Sequence, residues 1–321
     1  MKAVVIVGGR SGEHDVSLET GRAMAEAAVA AGHVVETLVF RRDGGTLWRG
    51  REGSLADGVA ALQREAPDVA LIGMHGPDGE DGKIQALLEL LDIPYQGSDV
   101  AASAVCMDKA RTKAVYRSHA LPVADDVVLW PGEAADWDAI AGRLGLPLVL
   151  KTAESGSSVG VEVVDTIASF ASSASRLLAS SLNLVVERWL PGAEYTASVL
   201  EEPDGSLTAL PIVEIRPLTA RFFDYEAKYT PGATDEICPA PISAALATEL
   251  QDLGLRSHVA LGCRHYSRTD FKLDAAGDVF VLETNTLPGL TPASLFPKAS
   301  AAAGLTFPEL IDRLAELARR G

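Results

Sequence analysis

Apolar, β-branched residues run without interruption from Ala3 to Val7 and stop at Gly8-Gly9, the pattern of a buried strand in a parallel sheet. A loop at 10–15 leads into an Ala-rich stretch through about Ala31, where Gly32 is placed to end a helix. Val34 to Phe40 reads as the next strand, Ala60 to Glu65 as helix, and Val69 to Met74 as a strand closing at His75-Gly76. This β-α-β alternation predicts an open α/β lobe, in which sites form beyond the carboxyl ends of strands. Gly8-Gly9 and His75-Gly76 both stand at such ends.

Lys83 to Leu91 reads as helix, and 94–98 as a link into a second lobe. There Ala101 to His119 is predicted helical, Val127 to Leu129 strand, Ala134 to Leu144 helix and Pro147 to Lys151 strand. A Gly/Ser loop at 155–160 separates that strand from Val161 to Val164, and a further strand spans Val185 to Trp189. Beyond it the pattern gives strands at Glu194 to Leu200 and Leu207 to Ile215. Arg216 to Pro241 has no sustained period, and its aromatics with Lys228-Tyr229 suggest a functional lid.

The clearest signal is the alternating run Thr269 to Leu273, a turn at 274–278, and a return through Val279 to Glu283, which predicts a β-hairpin. On it Asp270 and Glu283 can lie on neighbouring strands, with Asn285 two residues further on. Three oxygen ligands of that kind suit Mg²⁺. Solvated surface acids are the plainer reading of the same residues. Arg268, two residues before Asp270, points to the same face; it suits charge stabilisation or a simple ion pair that holds the hairpin.

Composition narrows the class. A chain of 321 residues with 47% apolar content fits a folded protein of two or three lobes. The formal charge of −16 argues against a nucleic-acid surface. Cys106, Cys238 and Cys263 are far apart and odd in number, so neither a disulfide framework nor a zinc site is expected. The apolar run after Lys2 is too short for a signal-peptide core, and no run approaches transmembrane length, so a cytoplasmic protein without membrane attachment is expected.

Lys151 ends a strand, and the following residues through Gly160 place two glycines and adjacent serines in a tight reversal. Such a loop can aim N–H groups and hydroxyls at phosphate oxygens, or be an ordinary turn. No GK[ST] follows the glycines, so it is not a P-loop. Glu13 sits before a helix, where an acid is often a cap.

Together, D-x-K-L at 270–273, L-E-T-N-T-x-P-G-L-T at 282–291, Ser294-Leu295, Met107-Asp108-Lys109 and G-G-x-S-x-E-x-D-V-S-L at 8–18 resemble the D-alanine–D-alanine ligase family of ATP-grasp enzymes. The resemblance runs from Val7 to Leu295 in order. It implies an α/β, three-lobed ATP-grasp ligase with an N-terminal open parallel-sheet lobe at 1–98, a central nucleotide-binding lobe at 99–188 and a C-terminal lobe with lid and metal site at 189–321. It further implies ATP and two Mg²⁺ (Mn²⁺ able to substitute), D-alanine as the other substrate, a homodimer, and a role in making peptidoglycan precursor.

By the same resemblance Lys109, Lys151, Ser157 and Lys228 contact nucleotide phosphates, Glu187, Trp189 and Glu194 form the adenosine edge, and Phe222 packs on the base. Asp270, Glu283 and Asn285 become the metal ligands, and Arg268 stabilises the tetrahedral oxyanion. Glu13 faces the amino group of the first D-alanine, with His75 as a substrate-side polar group. Gly289, Ser294 and Leu295 belong to the second subsite, and Tyr229 links by hydrogen bonds to Ser157 and Glu13. Thr152, Thr284 and Leu287 depart from the family's usual Pro, Ala and Ser, and Leu287 puts the shape of the second subsite in question. The alternatives are a D-lactate or D-serine ligase, against which Tyr229 and Leu295 speak, and a non-catalytic nucleotide-binding paralogue, against which the intact Arg268, Asp270, Glu283 and Asn285 set speaks.

Overall fold

The N-terminal strand β1 (Lys2–Gly8) is buried along nearly its whole length, as its unbroken apolar run requires. A computed structural model describes residues 1–154, 160–179, 183–218 and 232–320. After β1 come α1 (His14–Ala30), β2 (Val34–Phe40), β3 (Thr46–Trp48), β4 (Arg51–Gly53), α2 (Leu55–Glu65), β5 (Val69–Ile72) and α3 (Lys83–Leu90). The sheet order is β4-β3-β2-β1-β5, with β1 parallel to both β2 and β5. Two crossings thus carry the carboxyl ends of β1 and β5 to one edge of the lobe. Glu13 and His75 follow those ends directly.

The second lobe holds α4 (Val100–Met107), α5 (Lys109–Ser118), β6 (Asp126–Leu129), α6 (Trp137–Leu144), β7 (Leu148–Thr152), β8 (Val161–Val164), α7 (Ile167–Leu178) and β9 (Leu184–Arg188). Its sheet is antiparallel in the order β6-β9-β7-β8. The stretch expected to be one helix from Ala101 to His119 is two. Asp108 is extended (φ −94°, ψ 103°), ends α4, and its side chain accepts from the Arg111 N–H at 3.0 Å. A capping side chain competing with helix continuation is the physical reason. The break also lets the Lys109 N–H reach the Ala153 carbonyl at 2.9 Å, next to the Gly/Ser loop.

The third sheet comprises β10 (Glu194–Glu201), β11 (Leu207–Ala209), β12 (Val213–Pro217), β13 (Thr234–Ile237), β14 (Tyr266–Leu273) and β15 (Val279–Asn285). Its path is β13-β12-β10-β14-β15, with β11 also paired to β10. The single strand expected from Leu207 to Ile215 is broken at 210–212, where Pro211 has no N–H for the ladder. The aperiodic stretch from Arg216 to Pro241 contains ordered pairing at its ends, since β13 runs antiparallel to β12. Its central residues 219–231 lie outside those described. Helix α8 (Ala244–Ala260) covers the sheet, and α9 (Leu295–Ala302) and α10 (Phe307–Ala318) close the chain.

Leu310, Leu314 and Ala318 on α10 share one hydrophobic core with β1, β5 and Met24 of α1, so the C-terminal helix returns to the N-terminal lobe. Phe296, Leu287 and Tyr266 join the same core, tying α9, the segment after β15 and β14 to the first lobe. Among the described residues, no helix is long and apolar enough to cross a membrane.

Candidate active site

A cleft between the second and third sheets is lined by Lys109, Lys151, Glu187 and Trp189 on one side and by Glu194, Asp270, Lys272, Leu282 and Glu283 on the other. Glu187 on β9 is buried between two lysines: its Oε2 is 2.6 Å from Lys151 Nζ and its Oε1 is 2.5 Å from Lys113 Nζ. Burial alone would raise this carboxyl, but Lys151 and Lys113 hold it down at about 2. Lys272 Nζ stands 3.1 Å from Glu194 and 5.6 Å from the centre of the Trp189 ring. The apolar part of the wall, Val149, Val161, Leu190 and Leu282, matches what a flat heteroaromatic base needs.

The hairpin at the opposite wall forms as the alternation requires. Asp270 and Glu283 are register partners, and Arg268 pairs with Asn285. The register then slips between Asp270 and Phe271, leaving Leu282 as the extra residue and turning its side chain into the cleft. Arg268 grips Asp270 through both guanidinium nitrogens, at 2.8 and 2.9 Å. Glu283 lies 3.6 Å from Lys109, and Asn285 Oδ1 accepts from the Leu287 N–H at 2.9 Å. Among the described residues no group of three His, Cys, Asp or Glu could hold a metal unaided. Asp270, Glu283 and the Asn285 amide oxygen nevertheless form a hard-oxygen set at the cleft edge, and it fits Mg²⁺ when phosphate oxygens complete the coordination.

A second cluster stands at the carboxyl ends of β1 and β5. Glu13 is the residue preceding α1 but its side chain makes no capping bond. A Cβ at Gly76, which has φ +68°, would lie 2.6 Å from Glu13 Oε2, so this close approach and the left-handed backbone both call for glycine. His75 Nε2 is 2.9 Å from Thr20 Oγ1, its Nδ1 is 3.4 Å from Glu80, and the Ser11 hydroxyl donates to the His75 carbonyl. Burial pushes the Glu80 carboxyl up, opposed by His75. Glu80 lies near enough to Arg268 for its charge to act there, which joins this cluster to the hairpin.

Gly289 and Ser294 are adjacent, since a Cβ at Gly289 would meet Ser294 Oγ at 3.0 Å; that hydroxyl also bonds Thr291 Oγ1 at 2.9 Å. Leu295 is buried in the core shared with the first lobe. Leu287 is buried too, and its Cδ2 would lie 2.7 Å from a Cβ at Gly97. The side chain thus seats against the link between lobes. Ser157, Phe222, Lys228 and Tyr229 lie outside the described residues.

Sequence reasoning missed Lys113, Glu80 and Lys272. Lys113 stands one helical turn after Lys109, a usable signal once α5 is placed. Glu80 lies in a turn rich in acids, where nothing local separates it from a solvated one.

The family model described as D-ala D-ala ligase C-terminus matches residues 116–316, and the one described as D-ala D-ala ligase N-terminus matches 50–98. A curated relative from Syntrophobacter fumaroxidans, named D-alanine--D-alanine ligase, is 43% identical over 321 residues, covering 99% of this chain and 97% of its own. The solved D-alanine--D-alanine ligase of Bacillus anthracis complexed with ATP superposes with a TM-score of 0.81 at 29% identity, covering 100% of this chain and 98% of that one. A D-Ala:D-Ser ligase from Enterococcus faecalis gives a TM-score of 0.84 at 28% identity, with 99% of each chain covered.

Proposed function

The chain belongs to the D-alanine–D-alanine ligase family, and from that premise we propose that it joins two D-alanine molecules, using ATP, for peptidoglycan precursor synthesis. It is an ATP-dependent ligase of ATP-grasp fold. The observation that carries the reading is the cleft, where Lys109, Lys151, Glu187 and Trp189 face Glu194, Asp270 and Glu283. We take the lobes as 1–98, 99–188 and 189–321, with the nucleotide between the second and third.

In the first step a carboxylate oxygen of one D-alanine attacks the γ-phosphorus of ATP; an O–P bond forms, the bond to the β-phosphate oxygen breaks, and ADP leaves. In the second the amine of another D-alanine attacks the resulting acyl carbonyl, a C–N bond forms, phosphate leaves and the amine loses a proton. Positioning and charge neutralisation account for most of such a rate enhancement. Lys109 and Lys151 offset phosphate charge. Glu194 accepts from ribose hydroxyls, and Trp189 and Leu190 border the base. Glu13, beside Gly76, receives the ammonium of the first D-alanine, with His75 on the substrate side. Arg268 stabilises the oxyanion, and the Gly289 N–H and Ser294 hydroxyl meet the second carboxylate. Asp270, Glu283 and Asn285 would hold two Mg²⁺ or Mn²⁺, which supply neutralisation of the triphosphate. We assign the enzyme to the cytoplasm as a homodimer, which equilibrium sedimentation tests.

The similarity to a D-Ala:D-Ser ligase keeps a second reading in view, since that protein shares the fold. The burial of Leu287 against Gly97 supports D-alanine, because a side chain seated in the core offers no polar group to select a hydroxyl-bearing second substrate. The test supplies D-alanine, D-serine and D-lactate together with ATP near neutral pH and separates the products. D-Alanyl-D-alanine is expected to dominate, with phosphate release dependent on D-alanine. A dominant D-alanyl-D-serine or D-alanyl-D-lactate peak overturns the assignment.

A further inference from the structure

Lys113 sits on the inner face of α5, is 2% exposed, and is not among the residues that line the cleft. Its ammonium has three acceptors: Glu187 Oε1 at 2.5 Å, the Ala124 carbonyl at 3.0 Å and Asp126 at 3.1 Å. Asp126 is also paired with Arg117, and Glu187 with Lys151. In this network Lys113, Lys151 and Arg117 face Glu187 and Asp126, which leaves one positive charge in excess. Of those three cations, Lys151 is the one at the cleft wall.

We propose that Lys113 is a positioning residue for the nucleotide: by sharing the Glu187 carboxylate, it keeps Lys151 extended toward the phosphates with its charge only partly offset. The inference rests on the ATP reading of the cleft. A carboxylate facing a single ammonium would cancel its charge as seen by an incoming polyanion, and would hold the side chain closely. A second ammonium on the other oxygen draws off part of that field and leaves Lys151 free to engage a phosphate. Strand pairing to β6 and β7 fixes the Glu187 backbone at the same time, so one carboxylate reaches both ammoniums from a set place on the wall. A buried lysine is costly to maintain, and burial does push the Lys113 ammonium down while Glu187 opposes it. The competing account is a strut that merely stitches α5 to β6 and β9.

The two accounts differ in what the nucleotide's phosphates feel. Binding of ATP and of adenosine to the full chain, without D-alanine, is measured by calorimetry for wild type, Lys113→Met and Lys113→Arg. Lys113→Met is expected to weaken ATP about tenfold through the lost charge while leaving adenosine unchanged, and to raise KM for ATP with kcat at saturation falling less than about twofold. Lys113→Arg, which restores the charge, is expected to lie within about threefold of wild type. Should Lys113→Met fail to fold, Lys113→Gln, which removes the charge but keeps a hydrogen-bond donor, takes its place, and the same selective loss of ATP is expected. Equal weakening of ATP and adenosine, or unchanged ATP affinity in whichever charge-removing variant folds, overturns the proposal. Wild-type protein that binds neither ligand would overturn the ATP reading along with it.

Discussion

Glu187 and Asp270 are both carboxylates buried beside cations on opposite walls of the cleft, 5% and 7% exposed, yet they are held in different ways. Glu187 is bonded by Lys113 from a helix and Lys151 from another strand, partners fixed only when the second lobe is assembled. Asp270 is held by Arg268, two residues away on the same strand, through a two-pronged contact. The Asp270–Arg268 contact lies within one strand, whereas the Glu187 contacts join α5, β7 and β9. Long-range pairing thus joins three elements at one wall, and local pairing holds a single carboxylate at the other. Both walls are charged, but their charges have different duties.

The sharpest way to break the comparison is Glu283→Ala. The residue's side chain is about a third exposed, so its loss is expected to leave the fold intact while kcat drops at least about a thousandfold, because the Mg²⁺ it would help hold no longer offsets phosphate charge. Turnover across a Mg²⁺ titration, beside a circular-dichroism melt, checks it; near-normal turnover would remove the hairpin from the reaction. Arg268→Met should lower kcat by about a hundredfold, with KM for ATP much less changed. If KM alone moved, Arg268 would be a hairpin brace and no more.

Glu187→Gln addresses the other wall and should register in stability. With its folded value near 2 against an ordinary 4.5, Glu187 contributes stability that is full above about pH 4.5 and is lost as pH falls toward 2. The contribution is on the order of 3 kcal/mol at pH 7. Urea unfolding at pH 7 and pH 3 should show the variant weaker at pH 7 and closer to wild type at pH 3; a constant difference would contradict the linkage. The smallest effect expected is at the seam between lobes. His265 Nδ1 accepts from the Gly97 N–H at 3.1 Å, and burial pushes its value down to about 4, helped by Arg264 and His258. A base that the fold keeps neutral costs stability as pH falls from 6.5 to about 4. Between pH 7 and pH 5 the loss is about 2 kcal/mol, and His265→Gln should flatten that part of the melting-temperature profile. A profile identical to wild type would place the titration elsewhere.

Much of this was legible in the chain because it depends on neighbours in sequence. The run from Ala3 to Val7 has no polar face, so its strand had to be covered on both sides. The period of two on either side of Asp274 to Asp278, with Gly277 at φ +92°, set the hairpin that opposes Asp270 to Glu283. Asp108 was the hidden local signal: a capping residue that turned one expected helix into two and pointed Lys109 at the cleft.

What the tertiary structure alone decided are the contacts between residues distant in the chain. Local period fixes which face a side chain takes, but not which element is stacked against that face. Lys113 meets Glu187 across 74 positions because α5 packs behind β9, and nothing near either residue specifies that. Leu287 meets Gly97 across the chain, where only hydrogen leaves room for it. Glu80 became distinct from the acids around it when burial beside His75 and Arg268 gave it an environment they lack. Such pairings arise from the docking of lobes whose own patterns are satisfied separately, so a linear reading carries the parts while the packing of lobes carries the site.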